Sequence, residues 1–556
     1  MRVASPRDST GRGLRAVSSQ ATDWRRFAAC RQGLQCDGVA PNHHQRDLWA
    51  ISTECDTSGI VFPIDGSTRA MTETEITDFS IDILYDAPKA GSMDGTPDGR
   101  YVFWFEPSSD GRQRAWINGS LGEPFDELVS FADGRPWLIS DRGGRFAYVV
   151  RRGSQAFVGA DDREYGPYGN LSRQIEPFFS PDDRHLVFAV LVGDDVRLVV
   201  DGTELPGVRP AAGRPLFSPD GSRLAYVAAR KDAGVIREWV ILDGQAQTEC
   251  DGIGEGTMVF SSDGRRFAYG RRNGSVWEYV LDDQASPPFK QFEPGVFSAN
   301  GSRFAYPAFD GRMWLAVDSD RTGPPFERVS PIVFSGDSSR MAYVGVEAKS
   351  KLHVVIDGTV GPAWHELWGS PAFSADGRRT AYLAQEVTGG LLGRRQTWRA
   401  VIDGTPGRSF DEVASEPHFS PDGRLAFSAR SGRSWSMVVD DVPGSPFDTV
   451  GPPIWSTSGR LAHLVKTGGE LAVVLDGTMG PQLTDLSALD GKMIMFSPDG
   501  RHVLYLGTIR GALHPVVDHR LGPAVSGLDH PRFDANSVSF LGLHDDKVVR
   551  LRLPLD

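Results

Sequence analysis

Cysteine is scarce in this 556-residue chain: Cys30, Cys36, Cys55 and Cys250 are the only four, which excludes the disulfide framework of small secreted domains. The first three stand near His43 and His44, but no C-x-x-C pair is present, so no metal site and no cofactor are expected. Long apolar runs are also missing. No stretch approaches the ~20 apolar residues of a membrane-spanning helix, and the N-terminus, "MRVASPRDSTGRGLRAVSSQATDWRRFAAC", lacks the apolar segment of a secretory signal. A soluble, cytoplasmic protein is expected, with a periplasmic or extracellular location as the alternative if the start of the chain is misassigned. Positive charge is in deficit, 59 Lys and Arg against 72 Asp and Glu for a net charge of −13, which disfavours nucleic acid as a partner. Helical periodicity is absent as well. No segment sustains a 3.6-residue apolar repeat between turn signals, so helical solenoids are excluded.

What the chain has instead is glycine, 63 residues, with 37 prolines, and a phrase that recurs. "FSPDGSRLAYVA" from Phe217 returns as "FSSDGRRFAYG" from Phe260, "FSANGSRFAYP" from Phe297, "FSADGRRTAYLA" from Phe373 and "FSPDGRLAFSA" from Phe419. Further copies begin at Phe179, Phe334, Trp455, Phe496 and Phe533, with degenerate ones near Gly95 and Ile139, at spacings of 36 to 46 residues. Each is followed by a "VVxDG" phrase, as at Val199, Val240 and Val354, and then by "PFDxV", as in "GPPFERV" from Gly323. These phrases predict four strands per repeat. Asp-Gly between apolar runs marks tight type I′ hairpins, and the second strand, apolar on both sides, must be covered on both faces. Four-stranded antiparallel sheets that bury both faces on their neighbours make a β-propeller.

Twelve to fourteen such blades are expected in an all-β chain. The preferred reading is two tandem six- or seven-bladed propellers, residues 41–295 and 296–556, behind a poorly ordered or strand-donating segment 1–40. The alternative is one ring of about twelve blades. Because the copy from Phe533 stops before a fourth strand, a segment preceding Gly95 is expected to complete that last sheet.

Chemistry is harder to find. There is no G-x-S-x-G elbow and no region of alternating strands and helices for a hydrolase domain. The repeated aspartates, Asp220, Asp263, Asp376, Asp422 and Asp499, are expected to accept hydrogen bonds within their turns, and the arginines that follow, Arg223, Arg266, Arg303 and Arg340, to pair with neighbouring carboxylates. Trp239, Trp277, Trp314, Trp398 and Trp435 are expected to pack between blades. His463, which stands where other repeats have tyrosine, is read as a core residue, and His353 and His514 as residues of the third-strand face. No catalytic, metal or cofactor-binding residue is assigned. The "FSPDG.RLAYVA" phrase resembles the repeat of TolB-like propellers, bacterial cousins of the Trp-Asp repeat proteins, over residues 95–556. That resemblance implies the propeller fold, and it makes a polysaccharide lyase or hydrolase with a site in the central channel the alternative function.

The leading expectation is a non-catalytic, monomeric scaffold or sensor that binds a protein, peptide or glycan. Length variation concentrates between second and third strands, at "ARKDAGVIRE" from Ala229 and "QEVTGGLLGRRQT" from Gln385, and variable loops on a rigid scaffold are where binding resides. Arg230, Lys231, Arg237, Arg271, Arg272, Arg394, Arg395, Arg430 and Arg433 lie there, and they predict a face that attracts an anionic partner.

Overall fold

In the computed structural model, residues 76–555 are described, apart from short stretches at 77–78, 87–92, 97–99, 173–174, 194, 209–213, 233, 349–350, 390–392, 394, 490 and 545–546. The chain divides into units of residues 1–56 and 57–556; the first, and with it the expectation for residues 1–40, lies outside the described residues. Every described element of regular structure is a β-strand or a short turn. Among the described residues eleven sheets form, ten of four or five strands and one of nine in which two repeats are bridged at Val208 and Ala228, so these residues build twelve antiparallel blades in a ring.

The turns form as their residues dictate. Asp243 and Gly244, between the third and fourth strands of the fourth blade, have φ of 52° and 77°, the paired positive angles of a type I′ turn. Asp357–Gly358, Asp403–Gly404 and Asp476–Gly477 repeat the arrangement. Each second strand is buried on both faces, and successive side chains serve different neighbours. Tyr226 packs with Val187, Ala189 and Leu198 of the blade before it, whereas Ala225 and Val227 pack with Phe260, Phe267 and Tyr269 of the blade after. This is the period-two alternation of a strand between two sheets.

Two expectations are corrected. The "PFDxV" phrase is not one strand. Phe289 bridges to Trp277 in its own blade, while Gln291–Phe292 already pairs with the second strand of the next, Gln291 opposite Phe309. The chain changes blade at the aspartate, whose carboxylate accepts a hydrogen bond from a glycine N–H at the second-to-third-strand turn of the following blade. Asp126 receives Gly153 at 2.6 Å, Asp251 Gly274 at 2.6 Å and Asp411 Gly432 at 2.7 Å.

The second correction concerns the number of rings. The 295/296 boundary falls inside the sixth blade, between Gln291–Phe292 and Val296–Phe297, both of which pair with Phe304–Phe309. Closure is made across the whole chain. Ser80–Asp86 pairs antiparallel with Lys547–Pro554, Ser80 opposite Arg552 and Ile81 opposite Leu551, and supplies the fourth strand of the twelfth blade as expected. The single ring is therefore the architecture, because the strand that covers the last open edge comes from the beginning of the described chain and not from its middle.

Candidate functional site

The repeated Ser-x-Asp-Gly turn is a blade-to-blade clasp. Ser218 donates its hydroxyl to Asp220 and accepts the Arg223 N–H at 3.0 Å. Arg223 then reaches Asp243 of its own blade at 2.8 Å through Nε, donates through Nη1 to the carbonyls of Gly264 and Arg265 in the next blade at 3.1 and 2.9 Å, and lies over the Phe260 ring. The same contacts recur with Arg266, Arg303 and Arg340. In the third blade His185 takes the place of this arginine, Nδ1 2.6 Å from Asp201, and in the eleventh His502 does so with Asp518. The hydrogen bonds from Ser218 and Ser222 pull the Asp220 carboxyl down to about 2. The expected structural role of these aspartates and arginines stands on this geometry.

The other residues singled out from the sequence divide. Nδ1 of His353 lies 2.9 Å from the Gly361 carbonyl and Nδ1 of His514 lies 2.9 Å from that of Gly522, so both tie third strand to fourth within a blade. Trp398 and Trp435 are buried, and Trp277 is half-buried against Phe292. Cys30, Cys36, Cys55, His43 and His44 lie outside the described residues. Among the described residues, no three His, Cys, Asp or Glu side chains gather in a way that could hold a metal ion.

The nine cationic residues sit at the ends of second-to-third-strand hairpins, except Arg394, which lies outside the described residues. The long segments from Ala229 and Gln385 are extended hairpins, Leu224–Asp232 with Val235–Leu242 and Thr380–Thr388 with Arg395–Ile402. Most of the cations already have partners in their own neighbourhood. Arg230 pairs with Glu249 at 3.1 Å, Arg237 with Asp251, Arg271 with Glu278 at 3.1 Å and Arg430 with Glu412 at 2.7 Å. Arg272 donates to the Asp251 carbonyl and lies near the Trp277 ring. Lys231, Arg395 and Arg433 are exposed.

Beside them is a feature charge did not reveal. At the tip of the third blade's hairpin Leu191 and Val192 are each 39% exposed, and at the tip of the fourth Val235 is 54% exposed. The corresponding tips of the fifth, ninth and tenth blades carry Asn273, Ser431 and Thr467.

A polar cluster at the closure seam was likewise not legible in the sequence. Asp94 of the first blade accepts Trp137 Nε1–H of the second at 2.6 Å and lies 2.7 Å from His530 Nε2 of the twelfth. His530 is 8% exposed and has a φ of 53°, a conformation that non-glycine residues adopt at some cost. The cluster pins three blades together where the ring closes.

Comparison with known proteins adds little to this geometry. No family model matches the sequence, and no curated protein matches it. Among solved structures, the β-propeller domain of the Trilobed protease from Pyrococcus furiosus is similar at 15% identity over 49% of this chain and 95% of that one, with a TM-score of 0.23. An oligogalacturonate lyase from Vibrio parahaemolyticus is similar at 10% identity over 56% of this chain and 95% of that one, with a TM-score of 0.24. The propeller assignment rests on the strand pairing described above.

Proposed function

We propose that the chain is a binding propeller that holds a protein partner on the hairpin tips of its third and fourth blades. One observation carries the reading: Leu191, Val192 and Val235 stand exposed on neighbouring blades, where the tips of the fifth, ninth and tenth blades carry Asn273, Ser431 and Thr467. Apolar side chains grouped on an otherwise polar surface are stabilised by docking against another apolar surface. They are aliphatic, so they offer a sugar neither a hydrogen bond nor an aromatic face, and a protein segment fits them better than a glycan. Lys231, exposed on the fourth hairpin, supplies positive charge at the edge and favours a partner with an acidic residue beside its apolar contacts. Arg230, Arg237, Arg271 and Arg430 are already held in ion pairs with Glu249, Asp251, Glu278 and Glu412, so they add less to this attraction than the exposed Lys231.

A photo-cross-linking residue at position 235, compared with one at 265 on the opposite face, tests this reading in cells. The expected result is a discrete protein adduct from position 235 that disappears in Leu191→Ser/Val192→Ser. Equal adducts from both positions, or a persistent adduct in the serine variant, contradict it.

A further inference from the structure

The third residue of the second strand is aromatic in every blade from the second to the eleventh except the tenth, where it is His463. Its place in the fold is the same as that of the tyrosines. His463 stands opposite Val474 as Tyr343 stands opposite Val355 and Tyr505 opposite Val516. In those blades the phenol reaches across to a glycine in the fourth-strand segment of the preceding blade. A Cβ on Gly323 would collide with the Tyr343 hydroxyl, and one on Gly480 would meet the His519 ring first and lie 2.8 Å from the Tyr505 hydroxyl. At Gly323 the glycine of the "GPxF" phrase thus makes room for the neighbour's tyrosine.

Gly444 is the corresponding glycine facing His463, and there a Cβ would meet only the Met437 carbonyl, at 3.2 Å. The imidazole is shorter than a phenol and stops before the slot is filled. What remains is a cleft of about 240 Å³ between the ninth and tenth blades, lined by Met437, Val442, Gly444, Phe447, Leu461 and His463. Val442 at its rim is 63% exposed. An apolar cavity of roughly 150 Å³ is enough to take a benzene ring, so one aromatic ring fits.

His463 is 5% exposed, and its Nδ1 is enclosed with no hydrogen-bond partner. Nδ1 is closed off from solvent, so a ligand in the cleft can pair only with the ring's other nitrogen, Nε2, and a buried polar group without a partner costs free energy that such pairing restores. Burial also holds the ring neutral, with its pKa pushed down to about 4, so the site suits a neutral polar group better than a carboxylate.

We infer that the cleft between the ninth and tenth blades binds a phenol, a neutral aromatic ring with one hydroxyl, in the slot that the repeat's own tyrosine fills elsewhere, with His463 recognising the hydroxyl. The phenol is either a free small molecule or the side chain of an exposed tyrosine in a polypeptide. The site is separate from the hairpin tips and does not depend on the reading of that face.

Titration calorimetry and NMR of the full chain with phenol itself test the assignment. Saturable binding of phenol is expected, with benzene and benzoate at least fivefold weaker. His463→Tyr, which rebuilds the repeat's own side chain, and His463→Phe, which fills the slot without a hydroxyl, should each weaken phenol at least tenfold while still unfolding cooperatively. N-acetyltyrosinamide separates the two sources: comparable binding assigns the site to a tyrosine side chain, and its failure beside phenol binding assigns it to a free phenol. Absence of saturable phenol binding, or equal binding in both variants, overturns the inference.

Discussion

Arg223 belongs to the fourth blade and grips the fifth: one guanidinium nitrogen holds Asp243 at 2.8 Å while another donates to the carbonyl of Arg265 at 2.9 Å. Since the contact recurs around the ring, it joins each sheet to the next by directed hydrogen bonds in addition to apolar packing. Arg303 makes the set with Asp318 at 2.7 Å and Ser339 at 2.9 Å, and its side chain is 26% exposed. Arg303→Ala is expected to lower unfolding stability by about 1–3 kcal/mol, less than a fully buried network would lose because solvent screens it. Arg303→Lys should restore little, since an ammonium cannot serve the acid and the carbonyls in the fork geometry. Denaturant unfolding midpoints check this, and a loss below about 0.5 kcal/mol would remove the clasp from the account.

Glycines provide a second test. Gly221, Gly264 and Gly377 have φ of 75°, 69° and 70°, and a Cβ on Gly264 would lie 3.0 Å from Asp220 of the preceding blade. Valine at any of the three should cost about 1–3 kcal/mol, with similar losses at all of them. One site abolishing a binding activity at unchanged stability would show that the turns are not merely structural.

The tyrosine slots predict an asymmetry between two glycines of the same phrase. Gly323→Ala forces the buried Tyr343 ring aside and should cost about 1–3 kcal/mol, whereas Gly444→Ala, facing the shorter His463, should cost well under ~1 kcal/mol. Thermal unfolding of the pair decides it. Equal losses would mean that His463 leaves no more room than a tyrosine.

Acid should destabilise the protein through His463. Its pKa falls from the usual 6.5 to about 4 in the fold because burial disfavours the imidazolium, so between those values the unfolded chain takes up a proton that the folded chain refuses. Stability is therefore full above pH 6.5 and falls as pH is lowered towards 4, by up to about 3 kcal/mol from this group. Burial lowers the pKa of His519 as well, with the same sign. Urea midpoints at pH 6.5 and 4.5 should converge in His463→Phe relative to the parent chain. An unchanged difference would show that the imidazole is not held neutral by the fold.

The sequence makes the blade legible because its turn chemistry is local: Ser218, Asp220 and Gly221 define their hairpin within a few residues. It also brings out His463, as the one departure from an aromatic column. Ring number is less legible. Closure is made by Ser80–Asp86, which carries none of the repeated phrases, and it brings Ile81 beside Leu551 from the far end of the chain. The Asp94–His530 contact, spanning 436 residues of chain, is invisible for the same reason. The arginines of the hairpin tips are visible as charge, but their neutralising partners, such as Glu278 for Arg271 and Glu412 for Arg430, become apparent only when strands are paired.

Closure of one ring by its first described strand is the central claim, and a cross-link tests it most directly. Ser80 and Arg552 are register partners; with the four native cysteines replaced, Ser80→Cys/Arg552→Cys should oxidise to an intramolecular disulfide in the folded protein. The expected product migrates as a compact, circularised chain and unfolds at higher temperature than its reduced form. If the two thiols stay reduced while the folded protein remains intact, and a cysteine at position 552 cross-links instead to one placed in the segment before Phe297, the chain forms two rings and the account is wrong.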